Sequence, residues 1–557
     1  MFKQISFFAL LFLLCSLKVL ASVKPGAYAV ASAHPLATQA GLEILKAGGN
    51  AFDAVVAVSA ALAVVEPYHS SLGGGGFWLL HRAQDKKNIF IDGREMAPLA
   101  AHPKMFLDSD GHLIPGLSLS GGLAAAIPGE PAALVYIAKH YGRLPLAKSL
   151  APAIRLAEEG FPLDHQFAFF LTIPERLEPI KKYSSTGAVF LHEGKPWERG
   201  ALLKQPDLAK TLRSLAQKGH EGFYKGEIAH QLVDTVRATG GIWTLDDLAH
   251  YQIKVREPLV GAYHSMLVVT APPPSSGGVI LLTMLNILSY YPLETFNKLM
   301  WVHYLTEAMR LSYWQRYQFL GDPDFVTIPL NHLLSAENAK QLRQLIPADK
   351  ALPSAKLLGE PPNTGGKNTT QISILDREGN RVAATLTIND IFGSSVIAKG
   401  TGVLLNNQMN DFSFQPLEHE VVSTANAIQP GKRPLSSMTP TFLEMPNRLA
   451  IVGAPGGMRI PTMVLLATLA FNDYFGAIKM VSEIRFHHQF LPDKLEVEPD
   501  SFSPALQAKL KAMGYDLMVL PYYYGDMQAI TWDKENNFIT AASDPRHIGL
   551  AATITVN

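Results

Sequence analysis

The sequence predicts a mixed α+β fold built around a large apolar core. Of its 557 residues, 48% are hydrophobic and only 17% are charged, a composition that allows extensive burial. The segment 51–65 (AFDAVVAVSAALAVV) indicates a helix that is apolar nearly all round, and such a helix belongs inside a core. Beyond residue 368, segments with the alternation typical of strands dominate the chain.

The first element is an expected export signal, residues 1–21 (MFKQISFFALLFLLCSLKVLA). An early cation, an apolar run over 5–17 and the small residue Ala21 predict a signal peptide cleaved after Ala21, and hence a periplasmic or secreted protein. A retained membrane anchor is the alternative, although the run is shorter than the roughly 20 residues that a span requires. Lipid attachment at Cys15 is disfavoured by the bulky Leu14 before it.

Charge and cysteine content exclude several classes of function. The 48 Lys and Arg residues balance the 48 Asp and Glu residues, so nucleic acid is not an expected partner. Cys15 is the single cysteine, so the mature chain has no disulfide, thiol nucleophile or thiolate metal site. His487 and His488 are adjacent and point in different directions, which favours structural hydrogen bonding over a metal site.

The remaining elements before residue 368 are mostly helices. A first helix is expected to end at Gly48, Gly49 and Asn50. The segment 71–81 is expected to form a strand whose first part contains the glycines at 73–76. These glycines favour tight strand packing over phosphate binding, because no Lys-Ser/Thr pair follows them. Helices are expected over 36–47, 51–65, 130–140, 145–159, 205–217, 226–238 and 279–289. Pro, Gly and Asn crowd into 353–368, which has the character of a linker.

A β-hairpin follows this linker in the stretch 367–390 (KNTTQISILDREGNRVAATLTIND). Apolar residues alternate from Val382 to Asn389, and DREGN supplies turn residues, so the two flanking segments should pair antiparallel. A turn centred between Glu378 and Gly379 puts Thr369 opposite Ile388, with Thr387 and Asn389 as its cross-strand neighbours. Two hydroxyls and a carboxamide would then surround the backbone nitrogen of Thr369.

This arrangement suits a threonine nucleophile. A threonine at the start of a chain carries its own base in its α-amine, and such a terminus arises here only if the bond between Asn368 and Thr369 is cut. The Thr369 hydroxyl would attack that bond, and the linker would be free to leave. A plain edge hairpin with solvated threonines is the alternative.

Long motifs along the chain decide between these interpretations. They are AVASAHPLATQAGLEILKAGGNAFDA (29–54), IDGREMAP (91–98), LLNNQMNDFS (404–413), RPLSSMTPT (433–441), GAPGGMRI (453–460), FHHQFLPD (486–493) and ASDPR (542–546). With the hairpin, they make the sequence similar to the γ-glutamyltransferase (γ-glutamyl transpeptidase) family. The resemblance implies an N-terminal nucleophile hydrolase fold, an αββα four-layer sandwich formed as one compact unit by a large subunit (22–368) and a small subunit (369–557).

The activity implied by the resemblance is cleavage of γ-glutamyl amides. Thr369 would attack the γ-amide carbon of glutathione or another γ-glutamyl compound and hold the γ-glutamyl group as an ester. Water, or the amine of an amino acid or dipeptide, would then remove it. No metal or organic cofactor is implied.

The resemblance also assigns roles to residues in the matching motifs. The implied catalytic residues are the nucleophile Thr369, its supports Thr387 and Asn389, and the oxyanion donors Gly456 and Gly457. For the substrate, Arg94 would hold the α-carboxylate with help from Ser436 and Ser437, and Gln408, Asp411 and Asn389 would hold the α-ammonium. A surface cation is the alternative for Arg94, and a simple turn is the alternative for the two serines.

Two departures from the family pattern affect these expectations. Gln371 stands where the family commonly has histidine, which bears on hydrogen bonding near the nucleophile. The segment between Asp411 and Arg433 lacks the tyrosine with which some bacterial members cover the glutamyl group, so a looser lid is expected.

Two rival functions stay open from sequence. A cephalosporin acylase of the same fold would bind a diacid side chain without an α-amine, and Asp411 argues against it because a carboxylate there serves an ammonium. A secreted binding protein would keep the fold without self-cleavage, but Thr369, Thr387 and the glycine pair are all present.

Overall fold

The structure is a computed structural model that describes residues 23–357, 368–414 and 424–555. The expected signal peptide (1–21), residues 358–367 of the linker and residues 415–423 of the lid lie outside these ranges. No helix in the described ranges is both long enough and apolar enough to cross a membrane.

The helices fall mainly before residue 350. They are α1 (Pro35–Lys46), α2 (Ala51–Val65), α3 (Glu130–Tyr141), α4 (Leu146–Glu159), α5 (His165–Phe170), α6 (Pro174–Lys182), α7 (Ser184–Phe190), α8 (Pro206–Lys218), α9 (Glu221–Tyr224), α10 (Gly226–Ala238), α11 (Leu245–Ala249), α12 (Gly277–Leu288), α13 (Lys298–Phe319), α14 (Leu330–Leu333), α15 (Ala336–Gln344), α16 (Ile460–Asn472), α17 (Ala477–Ser482) and α18 (Pro504–Ala512).

The strands are distributed along the whole chain. They are β1 (Ala27–Ser32), β2 (Gly75–Arg82), β3 (Lys87–Gly93), β4 (Phe161–Pro162), β5 (Leu191–His192), β6 (Lys195–Pro196), β7 (Leu202–Leu203), β8 (Lys254–Arg256), β9 (Leu259–Tyr263), β10 (Met266–Thr270), β11 (Asn368–Leu375), β12 (Arg381–Asn389), β13 (Ile397–Ala398), β14 (Val403–Leu404), β15 (Thr441–Glu444), β16 (Arg448–Gly453), β17 (Phe486–His487), β18 (Leu495–Val497), β19 (Leu517–Val519), β20 (Gln528–Asp533), β21 (Phe538–Ser543) and β22 (Leu550–Thr555).

Two antiparallel sheets form the centre of the molecule. The first has seven strands in the order β22-β1-β11-β12-β2-β3-β8, and the second has six in the order β21-β20-β16-β15-β10-β9. The sheets face each other through β1, β11 and β12 on one side and β16 and β20 on the other. The Ser373 hydroxyl joins them by donating to the Gln528 carbonyl at 3.0 Å.

Helices cover the outer face of each sheet. α1, α2 and α3 pack on the first sheet, whereas α12, α16 and α17 pack on the second. The alternation along β12 explains this arrangement, because Val382, Ala384 and Leu386 join the core cluster that contains α2, and Ala383 joins the cluster between the sheets. Thr369, at the start of β11, and Thr387, near the end of β12, lie at the open end of the hairpin, next to the loop that follows β16.

The helices predicted from sequence are all present, with ends that differ from the predicted ones by at most two residues. α2 spans Ala51–Val65 as expected, because Asn50 and Asp53 form a capping box and every residue of the helix is buried. The long α13 and α16 were not predicted. The first residues of the expected linker are also packed, since the Ser354 amide donates to Asp493 at 2.7 Å and its hydroxyl to the Phe490 carbonyl at 2.8 Å.

The predicted hairpin register is wrong by one residue along most of its length. Thr370 pairs with Leu386 and Leu375 with Arg381, which centres the turn on Glu378. The register shifts between Asn368 and Thr370, so that Asn368 pairs with Asn389. Two residues of β12 therefore face Thr369, a β-bulge that brings the end of β12 to the start of β11 as predicted.

Candidate active site

One cavity collects the predicted site residues. Arg94, Asn368, Thr369, Thr387, Asn389, Gln408, Asp411, Ser436, Ser437 and Gly457 all line it. Gly456 completes the set through a hydrogen bond to Thr369. Strands of the first sheet, the loop after β16 and motifs more than 300 positions apart thus meet at one place.

Thr369 lies at the mouth of the inter-sheet space and is only 5% exposed. Its Oγ1 accepts a hydrogen bond from the Gly456 amide at 3.2 Å. Gly456 and Gly457 have φ values of 134° and 58°, a region that glycine enters without steric cost. Their backbone conformation therefore lets a main-chain donor approach the threonine hydroxyl.

Thr387 contacts the peptide bond that precedes Thr369. Its hydroxyl donates to the Asn368 carbonyl at 2.9 Å and accepts from the Asn389 amide at 2.7 Å. Asn389 has φ 80°, which asparagine tolerates better than most residues, and its side chain donates to the Asn407 carbonyl at 2.9 Å. The Asn368 carbonyl is thus polarised by a hydroxyl held in place by the end of β12.

Arg94 follows β3 and is buried, with 1% exposure, so it is not a surface cation. Its Nε donates to the Pro434 carbonyl and its Nη2 to the Leu435 carbonyl, both at 3.1 Å. Nη2 also pairs with Asp411 at 2.5 Å, and Nη1 lies 3.3 Å from Glu95. These contacts fix the plane of the guanidinium and place two carboxylates beside it.

Asp411 forms the opposite side of this group. Its Oδ2 accepts from Arg94 and from Gln408 Nε2, each at 2.5 Å, and Asn426 Nδ2 donates to its backbone carbonyl at 2.7 Å. The predicted carboxylate binder Arg94 and the predicted ammonium binder Asp411 therefore pair with each other.

Two buried acids, Glu95 beside Arg94 and Glu130 near Glu95, have shifted pKa values. Burial raises the pKa of Glu95 to about 7, and the nearby Arg94 opposes this shift. Burial also raises the pKa of Glu130 well above its usual range, with the Glu95 charge adding to the effect. Of the two acids, Glu95 therefore changes its charge near neutral pH.

Ser436 and Ser437 are part of the cavity wall. The Ser436 hydroxyl accepts from the Met438 amide at 3.2 Å, and the Ser437 hydroxyl donates to Met458 Sδ at 3.3 Å. Their segment is bridged to Ser275, so the pair sits in a paired structure and is not a free turn.

Gln371, at the position of the departure from the family pattern, is fully buried below the nucleophile. It accepts from the Thr385 hydroxyl at 2.7 Å and donates to the Ile372 carbonyl at 2.9 Å. A Cβ on Gly453 would lie 2.3 Å from the Gln371 Oε1, so the amide packs against the strand that leads to Gly456. The side chain thus connects the two sheets directly behind the site.

The other sequence expectations concern groups away from the cavity. His487 accepts or donates to Thr462 and Gln489, both at 3.0 Å, and His488 contacts Asp493 at 3.1 Å. Burial lowers the pKa of His487 to about 4 and of His488 to about 3. Both histidines are hydrogen-bonded, as expected.

The glycines before β2 serve close packing. A Cβ on Gly73 would lie 2.1 Å from the Leu404 carbonyl oxygen, and one on Gly74 would lie 2.2 Å from that of Thr387. Any larger residue would push β2 away from the end of β12.

Several residues in the cavity or next to it were not predicted from the sequence. Glu95 stands inside the quoted GREMAP motif, and its position next to Arg94 was an available signal. Arg316 and Tyr317 line the cavity from α13, and Asn407 supports Asn389. Asn407 lies inside the LLNNQMNDFS motif, whereas no motif marks Arg316 and Tyr317, which the packing of α13 brings to the cavity.

Known proteins resemble this chain over nearly its whole length. The family described as Gamma-glutamyltranspeptidase matches residues 37–554. The Glutathione hydrolase proenzyme of Pseudomonas sp. (strain A14) is 43% identical over 494 residues, which cover 87% of this chain and 85% of the relative. The protein of the same name from Escherichia coli (strain K12) is 40% identical over 528 residues, covering 93% of this chain and 90% of the relative.

A solved structure agrees with this likeness. The cephalosporin acylase from Bacillus halodurans superposes with a TM-score of 0.85 at 30% identity, covering 95% of this chain and 96% of that one. The extent of the family match and the identity to curated relatives together establish that this chain belongs to the γ-glutamyltranspeptidase family.

Proposed function

We propose that the chain is a self-cleaving γ-glutamyltransferase and glutathione hydrolase that uses Thr369 as its nucleophile. The observation that carries the proposal is the Thr369 hydroxyl, held by the Gly456 amide at 3.2 Å in the same cavity as the Arg94–Asp411 pair. A nucleophile, an oxyanion donor and a pair of opposite charges suit a zwitterionic substrate with a reactive amide.

Maturation begins with attack of Thr369 Oγ1 on the Asn368 carbonyl carbon. The oxygen of that carbonyl accepts from Thr387 Oγ1 at 2.9 Å, so charge that develops on it is stabilised. The C–N bond to Thr369 breaks and its nitrogen takes the hydroxyl proton, which leaves an ester. Water then hydrolyses the ester, which gives a carboxylate on Asn368 and restores the hydroxyl of Thr369, whose α-amine is now free.

Turnover repeats this chemistry on the substrate. The α-amine of Thr369 takes the hydroxyl proton as the oxygen attacks the γ-amide carbon, and Gly456 and Gly457 donate to the oxyanion. The leaving amine takes the proton, and water or an acceptor amine then cleaves the γ-glutamyl ester. Arg94, Ser436 and Ser437 hold the α-carboxylate, and Asp411, Gln408 and Asn389 hold the α-ammonium.

The processed protein comprises a large subunit (22–368) and a small subunit (369–557) in one αββα four-layer sandwich. The two facing sheets with helices outside them support this architecture, and the name proenzyme of the curated relatives supports the cut. Export to the periplasm or medium is supported by the character of residues 1–21.

Cephalosporin acylase activity is the second candidate, because the solved structure with a TM-score of 0.85 carries that name. The contact of Asp411 with Arg94 at 2.5 Å favours a γ-glutamyl substrate. An acyl group without an α-amine would leave Asp411 without a ligand charge to bind.

Replacement of the nucleophile tests the proposal. Thr369→Ala should give a single unprocessed chain without activity on γ-glutamyl-p-nitroanilide, whereas Thr369→Ser should retain both functions in weakened form, since it keeps the hydroxyl but loses the methyl that restricts χ1. A denaturing gel and a colorimetric assay measure the two outcomes. Two subunits of normal size from Thr369→Ala would exclude Thr369 as the self-cleaving residue.

A further inference from the structure

A second arginine, Arg316, lines the same cavity as Thr369. It extends from α13, near the helix end, and is half-buried. Its Nε donates to the Ser276 hydroxyl at 3.0 Å, and its guanidinium lies 5.2 Å from the centre of the Tyr317 ring. One side of the guanidinium is therefore anchored, which limits the orientations of the rest.

The two arginines of the cavity differ in how their charge is balanced. Arg94 has Asp411 and Glu95 beside it and two backbone carbonyls as acceptors. Arg316 has no carboxylate within ion-pair distance in the described ranges, and Ser276 is its hydrogen-bond acceptor there. A half-buried guanidinium with spare donors in a substrate cavity is suited to an anionic group of a ligand.

Glutathione carries two carboxylates, one on each side of the bond that is cut. The first lies on the γ-glutamyl α-carbon, where Arg94 and Asp411 recognise a zwitterion. The second ends the cysteinylglycine that leaves. The apolar residues Leu320, Met438 and Met458 line the cavity together with Arg316 and offer surface for the uncharged part of this dipeptide.

We propose that Arg316 binds the C-terminal carboxylate of the leaving cysteinylglycine and, in transfer, the carboxylate of the amino acid or peptide acceptor. The site would then select donors and acceptors that end in a free carboxylate. This inference rests on the proposed function, because it assumes that the γ-glutamyl group is bound at Arg94 and attacked by Thr369.

A supporting role is the competing explanation. Arg316 contacts Ser276, whose hydroxyl lies 3.4 Å from that of Ser437, so it could act through these serines on the α-carboxylate. That role would affect every γ-glutamyl donor alike. A second carboxylate site affects only the substrates that carry one.

Wild-type enzyme provides the first test, which needs no variant. Glutathione should show a kcat/KM at least about tenfold above that of its C-terminal amide, and glycylglycine should be a better acceptor than glycylglycinamide by a similar factor. Equal values for acid and amide would overturn the proposal. If the proposed function itself were wrong, the result would differ, because wild-type protein would then be inactive on both glutathione and its C-terminal amide.

Arg316→Gln and Arg316→Lys provide the second test. Arg316→Gln should lower kcat/KM for glutathione about tenfold or more and remove the preference for acid over amide, while hydrolysis of γ-glutamyl-p-nitroanilide stays within about twofold. Arg316→Lys should restore part of the preference because it keeps a cation. Equal losses on glutathione and γ-glutamyl-p-nitroanilide would show the supporting role and overturn the proposal. If Arg316→Gln is not processed, the acid and amide comparison in wild-type enzyme decides.

Discussion

The Thr387 hydroxyl donates to the carbonyl of the bond proposed to be cut, at 2.9 Å. Thr387→Ala removes this donor, and loss of one such hydrogen bond costs about 1–3 kcal/mol, so both self-cleavage and turnover should slow roughly ten- to a hundredfold. The rate of subunit appearance on gels and kcat for γ-glutamyl-p-nitroanilide measure the two effects.

Thr385 offers a matched control on the same strand face. Its hydroxyl contacts Gln371 and not Thr369 or the preceding carbonyl. Thr385→Ala should therefore slow cleavage and turnover much less than Thr387→Ala. Similar rates in the two variants would mean that the contact with Asn368 has no role in either reaction.

Asp411 and Arg94 test whether the site recognises a zwitterion. Asp411→Ala removes the proposed partner of the α-ammonium, and truncating one member of a desolvated pair costs about 2–5 kcal/mol, or roughly 30- to several thousand-fold in kcat/KM. Glutaryl-p-nitroanilide has neither α-charge, so its hydrolysis should decrease far less. Equal losses on both substrates in a variant that still self-cleaves would contradict γ-glutamyl recognition by Asp411.

Glu95 predicts a pH dependence of binding. Its pKa of about 7 means that it gains negative charge as pH rises through neutrality, beside the guanidinium of Arg94. The added charge weakens the attraction of Arg94 for the substrate carboxylate, so KM should rise between about pH 6 and pH 8. Glu95→Gln should flatten this rise, and an unchanged KM profile in that variant would exclude Glu95 as its cause.

At the scale of elements, sequence patterns were most informative where local and tertiary signals agree. α2 was placed correctly because its cap residues and its all-round apolar composition are both local. α13 was missed because its buried face carries His303, Glu307 and Arg310, which partner residues far along the chain and interrupt the apolar period. The β11–β12 register failed by one residue because a bulge depends on contacts beyond the hairpin.

Some residues of the candidate site could be predicted from the sequence, and others could not. Thr369, Arg94 and Asp411 stand in long motifs, so resemblance located them before any geometry was known. Arg316 stands in no such motif. Its position in the cavity depends on how α13 packs. The direct Arg94–Asp411 contact was also not predictable, since sequence gives the two charges but not their distance.

The packing of Gln371 in β11 against Gly453 in β16, which joins the two sheets, gives a prediction about stability. A Cβ on Gly453 would lie 2.3 Å from Gln371 Oε1, so Gly453→Ala should overpack the interior and destabilise the protein by about 1–3 kcal/mol. The Gly453→Ala/Gln371→Ala double variant should recover part of this loss, as measured by the midpoint of thermal unfolding. Gly187→Ala is the control, because its Cβ would have ordinary contacts at 3.6 Å. No recovery in the double variant would exclude Gln371 as the source of the clash.

At the scale of the whole molecule, the proposed cut divides the chain but not the sheets. In the first sheet, β1 from before the cut lies between β22 and β11 from after it, and β12 from after the cut pairs with β2 from before it. The second sheet is also shared, since β10 pairs with β15. The backbone hydrogen bonds of these ladders do not depend on the bond between Asn368 and Thr369.

This interleaving predicts that self-cleavage leaves the assembly intact. The mature protein should give two bands on a denaturing gel but one peak in size-exclusion chromatography, at the elution volume of unprocessed Thr369→Ala. Separation should require denaturant, because releasing either subunit breaks several strand ladders and exposes the core between the sheets. Subunits that part in native buffer would mean that the strand pairing across the cut does not persist after processing. A common elution volume would mean instead that the cut serves to free the Thr369 amine within a scaffold already assembled before it.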